Sequence, residues 1–301
     1  MPNRSKHKIS GIVFVAMGLF LVNSVAAQQK TESITMGRVN VNGVELYYQK
    51  HGSGSHLVLI EGLGVGTWLW EKQVPEFSKH YTTIVYDNRG AGKSGKPAVS
   101  YTIDMMADDL AGLLDSLQIA KAHVLGVSMG GFIAQSFALR YPEKVDRLVL
   151  VATSAGGPDH VPMSPEVLAV MFATGGQPRE LARRKLALAY SEKFMQSVEV
   201  EHLLDLRLDE PQPPHAYLAQ ATAGATFNLS EKVQGIQAPC LIVAATGDRL
   251  VPVANAHNLA KKIPHSRLKM FEGYGHQFFV EIPDEFNREV IAFLSGQSSS
   301  R

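Results

Sequence analysis

Two kinds of hydrophobic pattern divide this chain. Near its start, Arg38-Val-Asn-Val41 and Val44-Glu-Leu-Tyr-Tyr48 alternate around Asn42-Gly43. Period two on both sides of an Asn-Gly pair predicts an antiparallel hairpin with one buried face. From His56 onward the pattern changes to short, continuously apolar runs at 56–60, 83–86, 123–125, 147–151, 240–243 and 268–271. Runs without alternation are buried on both faces, which predicts a parallel sheet sandwiched between helices. Counted together, the hairpin and the six runs give an α/β fold with an eight-stranded, mostly parallel sheet. Among the flanking helices, 103–117 is amphipathic with Asp104, Asp108 and Asp109 near its start, and 283–294 closes the chain.

One interval breaks the rhythm. Between Thr153 and Gly235 there is no comparable apolar run, but 165–173, 179–189 and 198–208 read as helices among prolines and glycines. The segment 154–235 is expected to be a helical cap inserted into a core made of 28–153 and 236–301. A cap over the C-terminal ends of the strands roofs the region where open α/β sheets bind ligands.

The N-terminus carries a different signal. Arg4, Lys6 and Lys8 precede an apolar run from Ile9 to Val22, and Val25-Ala-Ala27 offers small residues where a signal peptidase reads. Residues 1–27 are therefore expected to be a secretory signal peptide cleaved after Ala26 or Ala27, giving a secreted or periplasmic protein. The rival, a retained membrane anchor, needs a longer apolar run, so no stable anchor is expected. Export without disulfides is implied by the single cysteine, Cys240, which lies within an apolar run and reads as a buried strand residue. A formal net charge of +1 gives no electrostatic footprint for nucleic acid. Nothing in the sequence speaks to oligomeric state.

Candidate chemistry centres on Val124-Leu-Gly-Val-Ser128-Met-Gly-Gly131. An apolar run stops at Gly126, a serine follows, and Phe132–Leu139 reads as a helix. This strand–serine–helix pattern is a nucleophile elbow, whose turn is so tight that side chains at Gly126 and Gly130 collide with backbone. A serine hydroxyl needs a base, and a histidine base needs a carboxylate behind it. His276, in Gly273-Tyr-Gly-His276 after the last run, is the expected base. Asp248, in Gly247-Asp248 after the Cys240 run, is the expected carboxylate, with Asp159 as the fallback. The remaining histidines have structural accounts: His123 starts a strand, and His160, His202 and His215 lie in the insertion. The glycine-rich stretch Glu61-Gly-Leu-Gly64 supplies an oxyanion loop, with the backbone amides of Leu63 and Met129 as donors. Trp68, Trp70, Met171, Phe172 and Phe278, with the Met129 side chain, are the expected substrate-binding residues. No metal ion and no cofactor is required by this set.

These motifs, with Tyr86-Asp-Asn-Arg-Gly90 followed by Gly92 and Ser94, resemble the α/β-hydrolase superfamily over nearly the whole mature chain. Within it, Gly126-Val-Ser-Met-Gly-Gly131 and Leu259-Ala-Lys-Lys-Ile-Pro264 are similar to small-ester and lactone hydrolases, including enol-lactonase-like and cofactor-free perhydrolase-like members. The resemblance implies the α/β-hydrolase fold and hydrolysis of a small-molecule ester or lactone. A rival from another class is a ligand-binding protein that keeps the fold with negligible turnover. One departure stands out: many relatives carry histidine before the oxyanion glycine, where this chain has Glu61. A carboxylate there opposes an anionic intermediate, so Glu61 is expected to turn away toward Arg89.

Overall fold

In a computed structural model, residues 1–2 and 34–297 are described. Apart from Met1 and Pro2, the expected leader and its cleavage site lie outside the described residues.

The hairpin forms from β1 (Thr35–Val41) and β2 (Val44–His51). Asn42 and Gly43 both take positive φ, 46° and 74°, which is the twist that suits a two-residue connection. Next come β3 (His56–Ile60), α1 (Val74–Phe77), β4 (Thr82–Tyr86) and α2 (Ile103–Ser116). The Thr102 side chain caps α2 by accepting from the amide of Met105 at 3.0 Å. Beyond it lie β5 (Ala122–Val127), α3 (Met129–Arg140) and β6 (Val145–Val151). The chain ends with β7 (Cys240–Ala245), α8 (Ala254–Lys262), β8 (Arg267–Phe271), α9 (Phe278–Glu281) and α10 (Pro283–Leu294). Strand order is β1-β2-β4-β3-β5-β6-β7-β8. The hairpin joins antiparallel to β4, and all later neighbours are parallel.

The continuous apolar runs are explained by the two cores. Val58, Ile60, Val124, Leu148, Leu150 and Ile242 face α2, α3 and α8 on one side. Their immediate neighbours Leu57, Leu59, Leu125, Val149, Val151 and Leu241 face α9 and α10 on the other. Successive side chains point to opposite faces, so only a strand covered on both sides can be apolar throughout. Each fully buried Leu, Ile or Val stabilises the sheet by about 1.5–3 kcal/mol. Cys240 belongs to the first core, fully buried, where burial pushes its thiol up.

Between β6 and β7 the chain contributes α4 (Pro165–Met171), α5 (Pro178–Ala189), α6 (Glu199–Asp209) and α7 (Pro214–Ala225). Sequence reasoning names the first three and misses α7, whose Pro-His-Ala-Tyr-Leu-Ala-Gln-Ala-Thr-Ala-Gly-Ala is too uniformly small to show a stripe. One polar residue explains its seat. Gln220 is fully buried and fastens α7 to the core, donating to the carbonyl of Arg89 at 2.8 Å and accepting from the amide of Gly64 at 3.1 Å. Among the described residues no helix is long and apolar enough to cross a membrane, and no cluster of His, Cys, Asp and Glu is arranged to hold a metal ion.

Candidate active site

Ser128 occupies the one-residue gap between β5 and α3, with φ 57° and ψ −120°. A non-glycine residue held there costs on the order of 1–3 kcal/mol, so the surroundings must enforce it. They do so through close backbone approach. A β-carbon at Gly126 would lie 2.2 Å from the carbonyl oxygen of Gly130, and one at Gly130 would lie 2.3 Å from that of Ile60. The Ser128 amide donates to Val151 at 2.9 Å, and its carbonyl accepts from the Thr153 hydroxyl at 2.8 Å. With the turn fixed from both flanks, α3 begins at Met129, earlier than the apolar pattern starting at Phe132 suggests.

His276 and Asp248 come from loops after β8 and β7. Nδ1 of His276 is 2.7 Å from Oδ2 of Asp248, and both residues are buried. The His276 loop is pinned by its neighbours: the Gln277 amide donates to the Ala189 carbonyl at 2.9 Å, and the Gly275 amide donates to Glu281 at 3.3 Å. Ser128 and His276 border the same cavity, of about 520 Å³, while Asp248 lies behind His276 outside its wall. Asp159, the fallback carboxylate, is instead bound to Lys262 on the surface.

Leu63 and Met129 border the same cavity. Met129 is the first residue of α3, so its amide has no acceptor within the helix and sits at the positive end of the helix dipole. The Leu63 amide has no hydrogen-bond partner among the described residues. Gly62 brings the loop against the elbow, since a β-carbon there would lie 3.3 Å from Cβ of Ser128 and 3.7 Å from its Oγ. Gly64 has φ 69° and is held through its amide by Gln220.

Glu61 departs from expectation. Arg89 is occupied by Asp109, donating from Nε at 2.5 Å and Nη2 at 2.6 Å, both residues almost fully buried. Glu61 is fully buried, neither carboxyl oxygen has a hydrogen-bond partner among the described residues, and it does not border the cavity. Burial first, then Asp87, push its carboxyl well above the usual range, which favours the neutral acid. The carboxyl thus turns away from the cavity, as expected, but it is not paired with a cation, and desolvation favours its neutral form.

Of the proposed substrate-binding residues, Met171, Phe172 and the Met129 side chain line the cavity. Trp70 and Phe278 do not. Trp70 is fully buried with its ring 5.4 Å from that of Phe279, and Phe278 is equally buried among Phe271, Phe279 and Phe286. Trp68 is half-buried against the same core, away from the cavity wall. Large aromatics near a site are mostly core, and nothing in their spacing separates the two fates. Sequence reasoning also missed wall residues: Ser154, His160, Phe132, Phe227, Lys185 and Arg207. The sequence suggests only a structural role for His160, yet its Nδ1 lies 3.0 Å from the Ser154 hydroxyl at the cavity wall, and burial holds it below the usual histidine range. Phe132 and Phe227 stack with centroids 4.4 Å apart, joining α3 to the end of the insertion.

The fold is matched by known proteins. The chain belongs to the alpha/beta hydrolase fold family, whose model matches residues 55–283. A 2-hydroxy-6-oxononadienedioate/2-hydroxy-6-oxononatrienedioate hydrolase of Burkholderia vietnamiensis is 34% identical, the match covering 88% of this chain and 97% of that protein. Among solved structures, the enol-lactonase of Burkholderia xenovorans LB400 is 27% identical with a TM-score of 0.76, over 86% of this chain and all of that one. A meta-cleavage product hydrolase from Pseudomonas fluorescens IP01 is also 27% identical, with a TM-score of 0.77 over 86% of this chain and 97% of that one. The chain is thus similar to hydrolases whose named substrates differ.

Proposed function

We propose that the protein is a serine hydrolase that cleaves a carboxylic ester or lactone through an acyl-enzyme on Ser128. The reading rests above all on the 2.7 Å contact between His276 and Asp248, with Ser128 and His276 opening on one cavity. Ser128 Oγ attacks the carbonyl while Nε2 of His276 takes its proton. Asp248 fixes the imidazole through Nδ1 and stabilises the imidazolium. Negative charge on the carbonyl oxygen is met by the amides of Leu63 and Met129, for which no acceptor competes among the described residues. His276 then protonates the leaving alkoxide, and a water activated by His276 releases the acid. For a lactone the alkoxide stays tethered to the acyl group, so one product leaves.

Apolar walls from Val127, Leu69, Leu250 and Phe132 suit a substrate with a hydrocarbon body. Similarity to an enol-lactonase supports the lactone side of the reading. A fluorophosphonate probe tests it: Ser128 is expected to be labelled in the wild type, and ester turnover is expected to vanish in Ser128→Ala. Absence of labelling, with turnover unaffected by that substitution, would support the ligand-binding rival. We further propose that the protein acts outside the cytoplasm. N-terminal sequencing of exported protein is expected to begin after Ala26 or Ala27, and a start at Met1 contradicts this.

A further inference from the structure

Two cations on the cavity wall lack the acids that such groups normally keep. Lys185 on α5 and Arg207 on α6 both border the cavity and are partly buried. Neither pairs with a carboxylate among the described residues, although their helices are rich in ion pairs. Arg179 and Arg183 of α5 take Glu201, and Arg179 also takes Asp205, all on the outer surface. Lys185 has instead the ring of Tyr217, 5.5 Å from its ammonium, and the like charge of Arg207. Burial lowers the pKa of Arg207, and the groups that offset it are Tyr217 and Tyr190 rather than a carboxylate.

Both tyrosine hydroxyls are buried without a hydrogen-bond partner among the described residues. The carboxylates closest in influence to Tyr190 are already committed. Glu281 accepts from the amide and hydroxyl of Ser191 at 3.0 and 2.5 Å, Glu71 meets His202 at 2.8 Å, and Glu199 meets Lys72 at 2.6 Å. Two like charges on the wall of a largely apolar cavity, backed by tyrosines rather than by carboxylates, form an arrangement that an anion completes. A planar carboxylate suits it, because a guanidinium meets one through two parallel hydrogen bonds and an ammonium adds a point charge.

We propose that Lys185 and Arg207 form an anion subsite on the cavity wall, and that the substrate is an ester or lactone carrying a carboxylate, bound there while its scissile carbonyl lies at Ser128. This rests on the hydrolase reading and adds the substrate class.

The test compares each anionic ester with its neutral counterpart. On the acyl side the pair is the 4-nitrophenyl hemiester of glutarate and its methyl ester. On the alcohol side it is 4-carboxyphenyl butyrate and its methyl ester. The readout is the anionic-to-neutral ratio of kcat/KM, which cancels any general loss of active protein. In the wild type one of the two ratios is expected to exceed unity by roughly 10- to 100-fold. It is expected to fall toward unity in Arg207→Gln and Lys185→Met, mainly through KM, and to be partly retained in Arg207→Lys. Ratios at or below one in both pairs, or unchanged in both variants, overturn the subsite while leaving the hydrolase reading intact. Absence of turnover of all four esters sinks the hydrolase reading instead. Calorimetry of glutarate and adipate binding to Ser128→Ala then tests the subsite by itself. Binding that weakens when Arg207→Gln is added supports it, and binding that is absent, or equal in both proteins, overturns it.

Discussion

The two carboxylate oxygens of Asp248 have separate partners: Oδ2 faces Nδ1 of His276 at 2.7 Å, while Oδ1 accepts from the amides of Leu250 and Val251 at 2.9 and 2.8 Å. One oxygen orients the base and the other ties down the loop. Asp248→Asn keeps an oxygen for the loop but loses the charge behind His276. In that variant kcat is expected to fall by about 10⁴-fold with little change in the thermal midpoint. Asp248→Ala is expected to show the same loss of activity and a lowered midpoint as well. Equal activity of wild type and Asp248→Asn would remove Asp248 from the mechanism.

The buried Glu61 gives stability a defined pH dependence. Its pKa is raised in the folded state, so its contribution is fully present below the unfolded value of about 4.3. Above that value the unfolded chain ionises and the folded one does not, so stability is lost as pH rises toward the folded pKa, by up to about 1.4 kcal/mol per pH unit. Urea unfolding of Glu61→Gln is expected to show a shallower decline over this window. A wild-type curve parallel to that of the variant would contradict the assignment.

Removing one member of the Arg89–Asp109 pair strands a charge in the core. Asp109→Ala is expected to destabilise the protein by about 3–5 kcal/mol. Apolar replacement of both residues is expected to cost less than the single change. Denaturant midpoints of the three proteins decide it.

Glycines at the elbow and in α7 are expected to respond oppositely to alanine. At Gly130 the added carbon meets backbone oxygens of Ile60 and Glu61 at 2.3 and 2.6 Å, and a loss of about 3 kcal/mol or more is expected. At Gly224 it meets only the Phe132 ring, at 3.7 Å, so a gain of roughly 0.5–1 kcal/mol from helix propensity is expected. Because Gly224 lines the cavity, Gly224→Ala is also expected to shift preference toward smaller substrates.

What was legible in the sequence follows from what local chemistry encodes. The hairpin, the six apolar runs and the glycine-flanked serine carry strong short-range signals, and His276 and Asp248 each follow a strand. The cavity wall lacks such signals. Trp70 and Met171 are both large and apolar, but only packing shows that the first fills the core and the second faces the cavity. Glu61 went toward Arg89 in expectation because charges seek partners. Asp109, on the next helix, takes that arginine through a contact that spacing does not reveal. Helix α7 escaped because its anchor is one buried glutamine rather than an apolar stripe.

The hydrogen-bonded adjacency of β6 and β7, with Leu148 opposite Cys240 and Val151 opposite Val243, has an evolutionary consequence. The whole segment carrying α4 to α7 is an excursion between two strands that would be neighbours without it. Chain closure penalises added length only weakly, about 0.6 kcal/mol per doubling. The sheet therefore tolerates replacement of this segment as an exchangeable cassette. Grafting a relative's cassette onto this core is a direct route to a new substrate range, provided that Gln220 is kept as its fastening and the contacts of Ala189 and Ser191 with the His276 loop and Glu281 are kept as well.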